Sequence, residues 1–506
     1  MRRRTLLLGG TSALVAGGGV YAWRSMMTGM HGTGGMPSMD NGNMQTMTNT
    51  QDRILTLPEG RPLPDLPRLN NQSAKSGEFI GVLFSNAVRK EFVKGKSTEL
   101  FAYNGTSPGP LIEAREGDRV SIAMTNRLKD RDTNIHWHGL DIPSDQDGNP
   151  MDPIKPGAVR TYTFDLLADN TGPFWYHPHP HGDTPEQVYM GLAAPFIVRP
   201  KNDPLRDLAE TTLFITSLSL LEDGRIAPNS MADLMNGREG DHVLINGEKN
   251  PVLKVAPGSS RRFRIYNATN GRYLRLGFDG LPMTLIGTDG GYLAVPVGGL
   301  TEIVLAPAER VEVVVTFSGG AGRTVVRSKP YDRGWMGSSK PTAMDIALMI
   351  IDRSGPDEKP FALPSALRRI EPLGTHVATK RLELSEWMGM GDSDMAMAFM
   401  INGKTFDMKR VDLTSRAGDV ELWEFVNPTD MDHPMHIHGT QFQVIERERG
   451  GQSKAEPVVA WKDTVNVARG ETVRLKVKHV LKGSRMYHCH NLEHEKLGMM
   501  GILNVT

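Results

Sequence analysis

Tyr487-His488-Cys489-His490, with His494 and Met499 close behind, is the stretch on which the reading of this chain turns. Cys489 is the only cysteine in 506 residues, so it has no partner for an internal disulfide. Along an extended strand side chains alternate between faces, and residues two apart stand about 6.5–7 Å from each other on one face. Cys489 then looks to one side, His488 and His490 look to the other, and one short strand can serve two metal sites back to back. A Cys489 thiolate, a His494 imidazole and a Met499 thioether form the soft, mixed set that suits an electron-transfer copper, completed by one further histidine. The plainer alternative is that Cys489 is a small buried hydrophobe, as most free cysteines are.

The rest of the chain decides between them. His-x-His recurs at His136/His138, His177/His179 and His436/His438, so that four pairs use eight of the fifteen histidines. One such pair is weak as a metal signal, but four are hard to attribute to chance. Tyr176-His177-Pro178-His179 lines up with Tyr487-His488-Cys489-His490, with Pro178 where the cysteine stands.

Further repetition surrounds these motifs. Asn104-Gly105 is followed by Gly117-Asp118, an alternating strand through Val120, Ile122 and Met124, and Asn126. Asn246-Gly247 is followed by Pro257-Gly258, Phe263, Ile265 and Asn267, and Asn402-Gly403 by Gly418-Asp419, Leu422, Trp423, Phe425 and Asn427. In each case the asparagine lies nine residues after the glycine. Period-two patterning with regular turns predicts three β-sandwiches, an all-β chain. The first and third units carry the histidine motifs. The second reads Arg272-Tyr273-Leu274-Arg275-Leu276 at the matching place and is expected to act as a spacer. A histidine-only cluster is expected between units one and three, and a thiolate copper inside unit three.

Composition agrees. Gly 54 and Pro 33 suit many short strands joined by turns, and 506 residues exceed one core. Lys+Arg and Asp+Glu are both 58, which leaves no net field to hold nucleic acid. Arg2-Arg3-Arg4-Thr5-Leu6-Leu7 opening an apolar run has the order of a twin-arginine export signal, taken as residues 1–25. Export to the periplasm is expected, with a retained membrane anchor as the alternative to cleavage. Residues 26–51 are rich in Met, Gly, Ser, Thr and Asn and cannot bury a core, so they are expected to be disordered. Domains are expected at 52–204, 205–360 and 361–506.

HWHG (136–139), HPHPHG (177–182), HPMHIHG (433–439) and HCHNLEHEKLGMM (488–500), in this order and spacing, resemble the four copper signatures of the three-domain multicopper oxidases. HGTQF (438–442), WKDT (461–464) and the final GMM resemble in particular the bacterial copper-efflux, or cuprous, oxidases. The resemblance implies three cupredoxin-like Greek-key β-sandwich domains and four copper ions. His433, Cys489 and His494 would hold the type 1 copper with Met499 axial. His136 and His436 would hold the type 2 copper, and His138, His177, His179, His438, His488 and His490 the type 3 pair. It also implies dioxygen as acceptor, with Cu(I), other metal ions or small phenols as donors, and a monomer is expected.

Asp147 and Glu495 match proton-donating positions of the cuprous oxidases. The plainer alternatives are a turn-forming Asp-Gly for the first and a carboxylate orienting a ligand for the second. His181 continues the alternation of His177 and His179 and is expected beside the ligands without binding metal. His31, His242, His376 and His479 are expected to be ordinary surface or hydrogen-bonded residues.

Residues 387–400, WMGMGDSDMAMAFM, bring Met388, Met390, Met395, Met397 and Met400 together with Asp392 and Asp394. Thioethers favour Cu(I), so these residues, with Asp430 and Met431, are candidates for a substrate copper site. The family's corresponding insertion is longer and contains histidine, and its carboxylate beside Met431 is replaced by Thr429. The alternative is an apolar loop covering the type 1 site. Three functions follow: a Cu(I) oxidase, a laccase-like phenol oxidase, and a copper binder without catalysis.

Overall fold

The computed structural model describes residues 53–337, 340–390 and 395–506. The expected export signal (1–25), the Met-rich segment (26–51, with His31) and Asp392 and Asp394 lie outside the described residues. The described residues are about 49% strand and 4% helix. Among the described residues, no helix is long and apolar enough to cross a membrane.

The strands form three two-sheet sandwiches with one apolar core each. The first joins two four-stranded sheets around Leu83, Trp137 and Phe174, the second a seven- and a five-stranded sheet around Phe263, Ile265 and Val313, and the third a six- and a five-stranded sheet around Trp423, Phe425 and Leu475. Truncating one of these large core side chains to alanine costs about 3–5 kcal/mol. Neighbouring strands are often distant in sequence. Glu78–Val93 runs parallel to Arg119–Asn126, and Ala378–Met390 runs parallel to Val420–Asn427.

The repeated asparagines explain why three dissimilar segments fold alike. Asn104, Asn246 and Asn402 adopt positive φ of 51°, 51° and 53°, which asparagine tolerates better than most residues. Each amide bridges a neighbouring strand: Asn104 takes the Phe84 N–H and donates to the Val82 carbonyl, Asn246 does so to Phe214 and Thr212, and Asn402 to Glu383 and Arg381. The second asparagine of each unit pins the loop that follows. Asn126 donates to the carbonyls of Arg131 and Ile154, Asn267 to those of Arg272 and Leu305, and Asn427 to those of Met431 and Val467. In the outer units these loops run directly into His136 and His433.

The motif strands then meet in register. His136–His138 pairs antiparallel with Gly172–His177, placing His136 opposite His177, while His433–Ile437 pairs with Gly483–Cys489, placing His436 opposite His488 and Met435 opposite Cys489.

Candidate metal centres

Cys489 and its flanking histidines do face opposite ways. Its Sγ lies 3.6 Å from His433 Nδ1 and 3.9 Å from His494 Nδ1, and the two Nδ1 atoms are 3.2 Å apart. All three side chains are fully buried. Each imidazole is turned by its far nitrogen. Thr429 Oγ1 spends its proton on Asn427 or Met431 and so accepts from His433 Nε2 at 3.0 Å, while His494 Nε2 donates to the Met235 carbonyl at 3.1 Å. Both Nδ1 lone pairs are left pointing at sulfur. Phe399 stacks on His494 at 3.8 Å, and Asn491 N–H donates to Sγ. The buried Met499 is tied into the same turn, its carbonyl accepting from Cys489 N–H and its N–H donating to the His494 carbonyl.

Burial pushes the Cys489 thiol well above its ordinary range and His433 down to about 3. A thiol so buried becomes a thiolate only with a cation beside it. Two neutral imidazoles and one thiol with no acid partner are a soft metal-binding set.

On the other face, eight buried histidines converge. Three groups have ring nitrogens within 4.8 Å of one another: His136, His138 and His436; His138, His177 and His490; His179, His438 and His488. His136 and His436 approach Nε2 to Nε2 at 3.3 Å, as do His179 and His488, and His438 and His488 at 3.0 Å. Five of the rings donate Nδ1–H to an oxygen: His136 to the Asp147 carbonyl, His177 to Pro178, His436 to Asp463, His488 to Cys489, and His438 to Asp147 Oδ2. That fixes their tautomer and leaves Nε2 bare toward the centre. His138 is reversed. Its Nε2 meets Asp463 Oδ1 at 3.0 Å and Thr464 Oγ1 at 3.1 Å, leaving Nδ1 free. His138 Nδ1, His177 Nε2 and both nitrogens of His490 are buried without a hydrogen-bond partner among the described residues. Burial, then mutual repulsion, holds His138, His436 and His438 far below their ordinary range. Buried, neutral, unpartnered and convergent nitrogens are what metal ions require and what proteins otherwise avoid.

Asp147 is fully buried, and its Oδ1 lies 3.3 Å from His136 Nδ1, so this one residue steadies two rings. It also precedes the turn-forming Gly148 at φ +77°. Glu495 lies on the helix Leu492–Lys496, buried and pushed up to about 8 by burial. Its Oε2 has no hydrogen-bond partner among the described residues, and the nearby Thr184 hydroxyl donates to the Pro180 carbonyl beside His179.

Several expectations are corrected. His181 sits at the surface beside Phe406 instead of beside the ligands, because the backbone leaves the strand after His177. His479 is buried with neither ring nitrogen partnered among the described residues, so it is neither a surface nor a hydrogen-bonded histidine. The described parts of the methionine segment are paired strands where a loop was the alternative. Ala378–Met390 pairs with Met395–Ile401, placing Met388 opposite Met397 and Met390 opposite Met395. Met397 is in the core with Phe399, Met388 is 46% exposed, and Met400, an odd number of residues from Met397, lies on the other face of its strand. Met431 is fully buried and Asp430 exposed. The middle sandwich is more than a spacer, since it contributes the Met235 carbonyl and, through Arg310, a bond to Asp463.

Sequence reasoning missed Asp463, whose only signal was the WKDT motif, and the roles of Thr429 and Phe399. It also missed Glu386. This carboxyl shares the hairpin face of Met388 and Phe399 and is pushed up to about 7 by burial and by Asp430. Met231, Met235 and Met336 pack against the third core from the middle domain.

Two sandwiches of this kind enclosing a cysteine–histidine centre beside a histidine cluster define a copper oxidase architecture. Multicopper oxidase family models match residues 86–203, 219–331 and 380–506, and the chain belongs to the multicopper oxidase family. It is 32% identical to the multicopper oxidase mco of Staphylococcus haemolyticus, over 83% of this chain and 86% of that protein. A solved multicopper oxidase from Campylobacter jejuni, described as a metallo-oxidase, superposes with a TM-score of 0.84 at 42% identity, covering 89% of this chain and 96% of the other. A laccase-like multicopper oxidase, CueO, from Ochrobactrum sp., described as active towards lignin model compounds, superposes at 0.76 with 28% identity, covering 88% and 100%. Family membership implies four coppers, of types 1, 2 and 3, and the histidine clusters suit them.

Proposed function

We propose that this protein oxidises Cu(I) one electron at a time and reduces dioxygen to water, in a periplasmic copper-tolerance role. His433, Cys489, His494 and Met499 would hold the type 1 copper in this reading. His136 and His436 hold the type 2 ion, and the groups His138/His177/His490 and His179/His438/His488 hold the type 3 pair. When bound, copper supplies the redox chemistry, with single-electron acceptance at the thiolate site and four-electron reduction of dioxygen at the cluster.

The chain's own residues supply the rest. The observation that carries the reading is the covalent link: Cys489 stands between His488 and His490, so the backbone joins the two centres, and the Cys489 carbonyl is itself bonded to His488 Nδ1. Asp147 accepts from His136 and His438 and holds both rings in place, and in this reading it also serves the proton route to the cluster. Glu495, whose carboxyl burial pushes up to about 8, is the second proton donor in this reading. Met388 and Met397, with Met390 and Met395 paired beyond them in the hairpin, offer thioethers to Cu(I), and Glu386 and Asp430 offer carboxylate oxygen to the oxidised product.

The test is anaerobic mixing of the copper-loaded protein with Cu(I), followed by air. Reduction of the blue centre, then its re-oxidation with dioxygen consumed at one molecule per four Cu(I), is expected. Sequestration without dioxygen uptake would mean a binder. A phenol oxidase is the second reading, favoured by the likeness to the Ochrobactrum protein. Replacing Met388, Met390, Met395, Met397 and Met400 by leucine separates the two, with selective loss of Cu(I) oxidation and retained phenol turnover expected. For location, the protein should fractionate with the periplasm, and substituting Arg3 and Arg4 by lysine should hold it in the cytoplasm.

A further inference from the structure

Arg310 belongs to the middle sandwich, yet its guanidinium reaches all three domains. Nη1 and Nη2 donate to Oδ1 and Oδ2 of Asp463 at 2.7 and 2.5 Å, Nε donates to the Pro173 carbonyl at 2.7 Å, and Nη1 also donates to the Ala308 carbonyl at 3.0 Å. Both side chains are at most 1% exposed. A forked guanidinium–carboxylate pair sets the plane of the carboxylate as well as its position. Asp463 in turn meets two cluster histidines. Its Oδ1 takes His138 Nε2 at 3.0 Å, and its backbone carbonyl takes His436 Nδ1 at 2.8 Å. Asp463 is thus the reason that His138 is turned opposite to the five rings that donate from Nδ1.

We infer that Arg310 is a positioning residue for the histidine cluster. By locking the Asp463 carboxylate it selects the Nε2–H tautomer of His138, turns Nδ1 toward the metal, and aligns His436. The ligand-free domain thereby helps to determine how firmly the cluster holds copper. This inference rests on the copper assignment proposed above. A purely structural ion pair would tie the domains together equally well but would leave the cluster's electronic properties alone, and that difference is measurable.

The experiment uses the full copper-loaded chain. It compares wild type with Arg310→Gln, Arg310→Lys and Asp463→Asn. The blue absorption of the Cys489 centre, the electron paramagnetic resonance signal of the type 2 ion, the near-ultraviolet band of the coupled pair, and copper retention against a chelator are recorded in the resting state. Arg310→Gln is expected to keep its blue absorption while the type 2 signal shifts and cluster copper is held about 10- to 100-fold more weakly. Arg310→Lys keeps the charge but loses the fork, so it is expected to remain impaired. Unchanged cluster signals in Arg310→Gln, or full rescue by lysine, would overturn the inference. If Arg310→Gln does not accumulate, Asp463→Asn decides, because selective loss at the cluster supports the inference and wild-type retention refutes it. A wild-type cluster without copper would instead defeat the copper assignment itself.

Discussion

Cys489 is a thiol that its surroundings keep protonated until a cation arrives. Cys489→Ser is therefore expected to abolish the intense thiolate-to-copper absorption while the histidine cluster still loads. Visible spectra and metal analysis on one sample check this, and a persisting blue colour would remove Cys489 from the site. His479 shows the opposite situation, a buried imidazole with nothing to bond. Burial, then Arg485 and Lys380, pushes it down to about 3 from an ordinary 6.5. The fold thus holds it neutral while the unfolded chain takes up a proton, so its contribution to stability is full above 6.5 and is lost as pH falls from 6.5 toward 3. His479→Leu should raise stability at neutral pH by about 1–3 kcal/mol and make the acid limb shallower by one proton. Urea midpoints at pH 7 and pH 5 would show it, and an unchanged pH slope would contradict it.

At this scale the sequence was legible wherever chemistry was carried by residue type and alternation, as in His488-Cys489-His490. It was opaque where a contact uses backbone or crosses the chain. The Met235 carbonyl beside His494 has no residue-type signature, and Arg310 lies 153 residues from Asp463.

Among the elements, the paired strands Ala378–Met390 and Met395–Ile401 stand where an apolar loop was the alternative to a substrate site. Phe399 and Ile401 join the third core and hold the segment in the sheet. The turn at Asp147-Gly148 is the second element whose conformation matters to the site. A Cβ on Gly148 would lie 1.9 Å from the Ile135 carbonyl oxygen, and its φ of +77° disfavours any side chain. Gly148→Ala is expected to displace Asp147 and so weaken type 2 copper loading, with the blue centre little changed. Equal loading by copper analysis would refute the coupling. The asparagine turns were readable because the same side-chain chemistry recurs three times. What each second asparagine pins was not, since the carbonyls it meets lie up to 40 residues away.

For the molecule as a whole, the cluster is a seam. His136, His138, His177 and His179 come from the first sandwich, and His436, His438, His488 and His490 from the third. Copper bound there links two domains, so chelation should loosen their association. A free copper concentration of 100 times Kd contributes about 2.7 kcal/mol. Stripped protein should melt at lower temperature and be cut sooner by protease between the sandwiches, and readdition should reverse both. Identical melting of the two forms would exclude the seam.

The order of the ligands along the chain has a further consequence. His488, Cys489, His490, His494 and Met499 are made after every other ligand, and they complete three of the four groupings. A nascent polypeptide that has not yet reached residue 488 has only the His136, His138 and His436 grouping complete. The thiolate site and the two remaining histidine groupings therefore form only after the residues from 488 onward have been made.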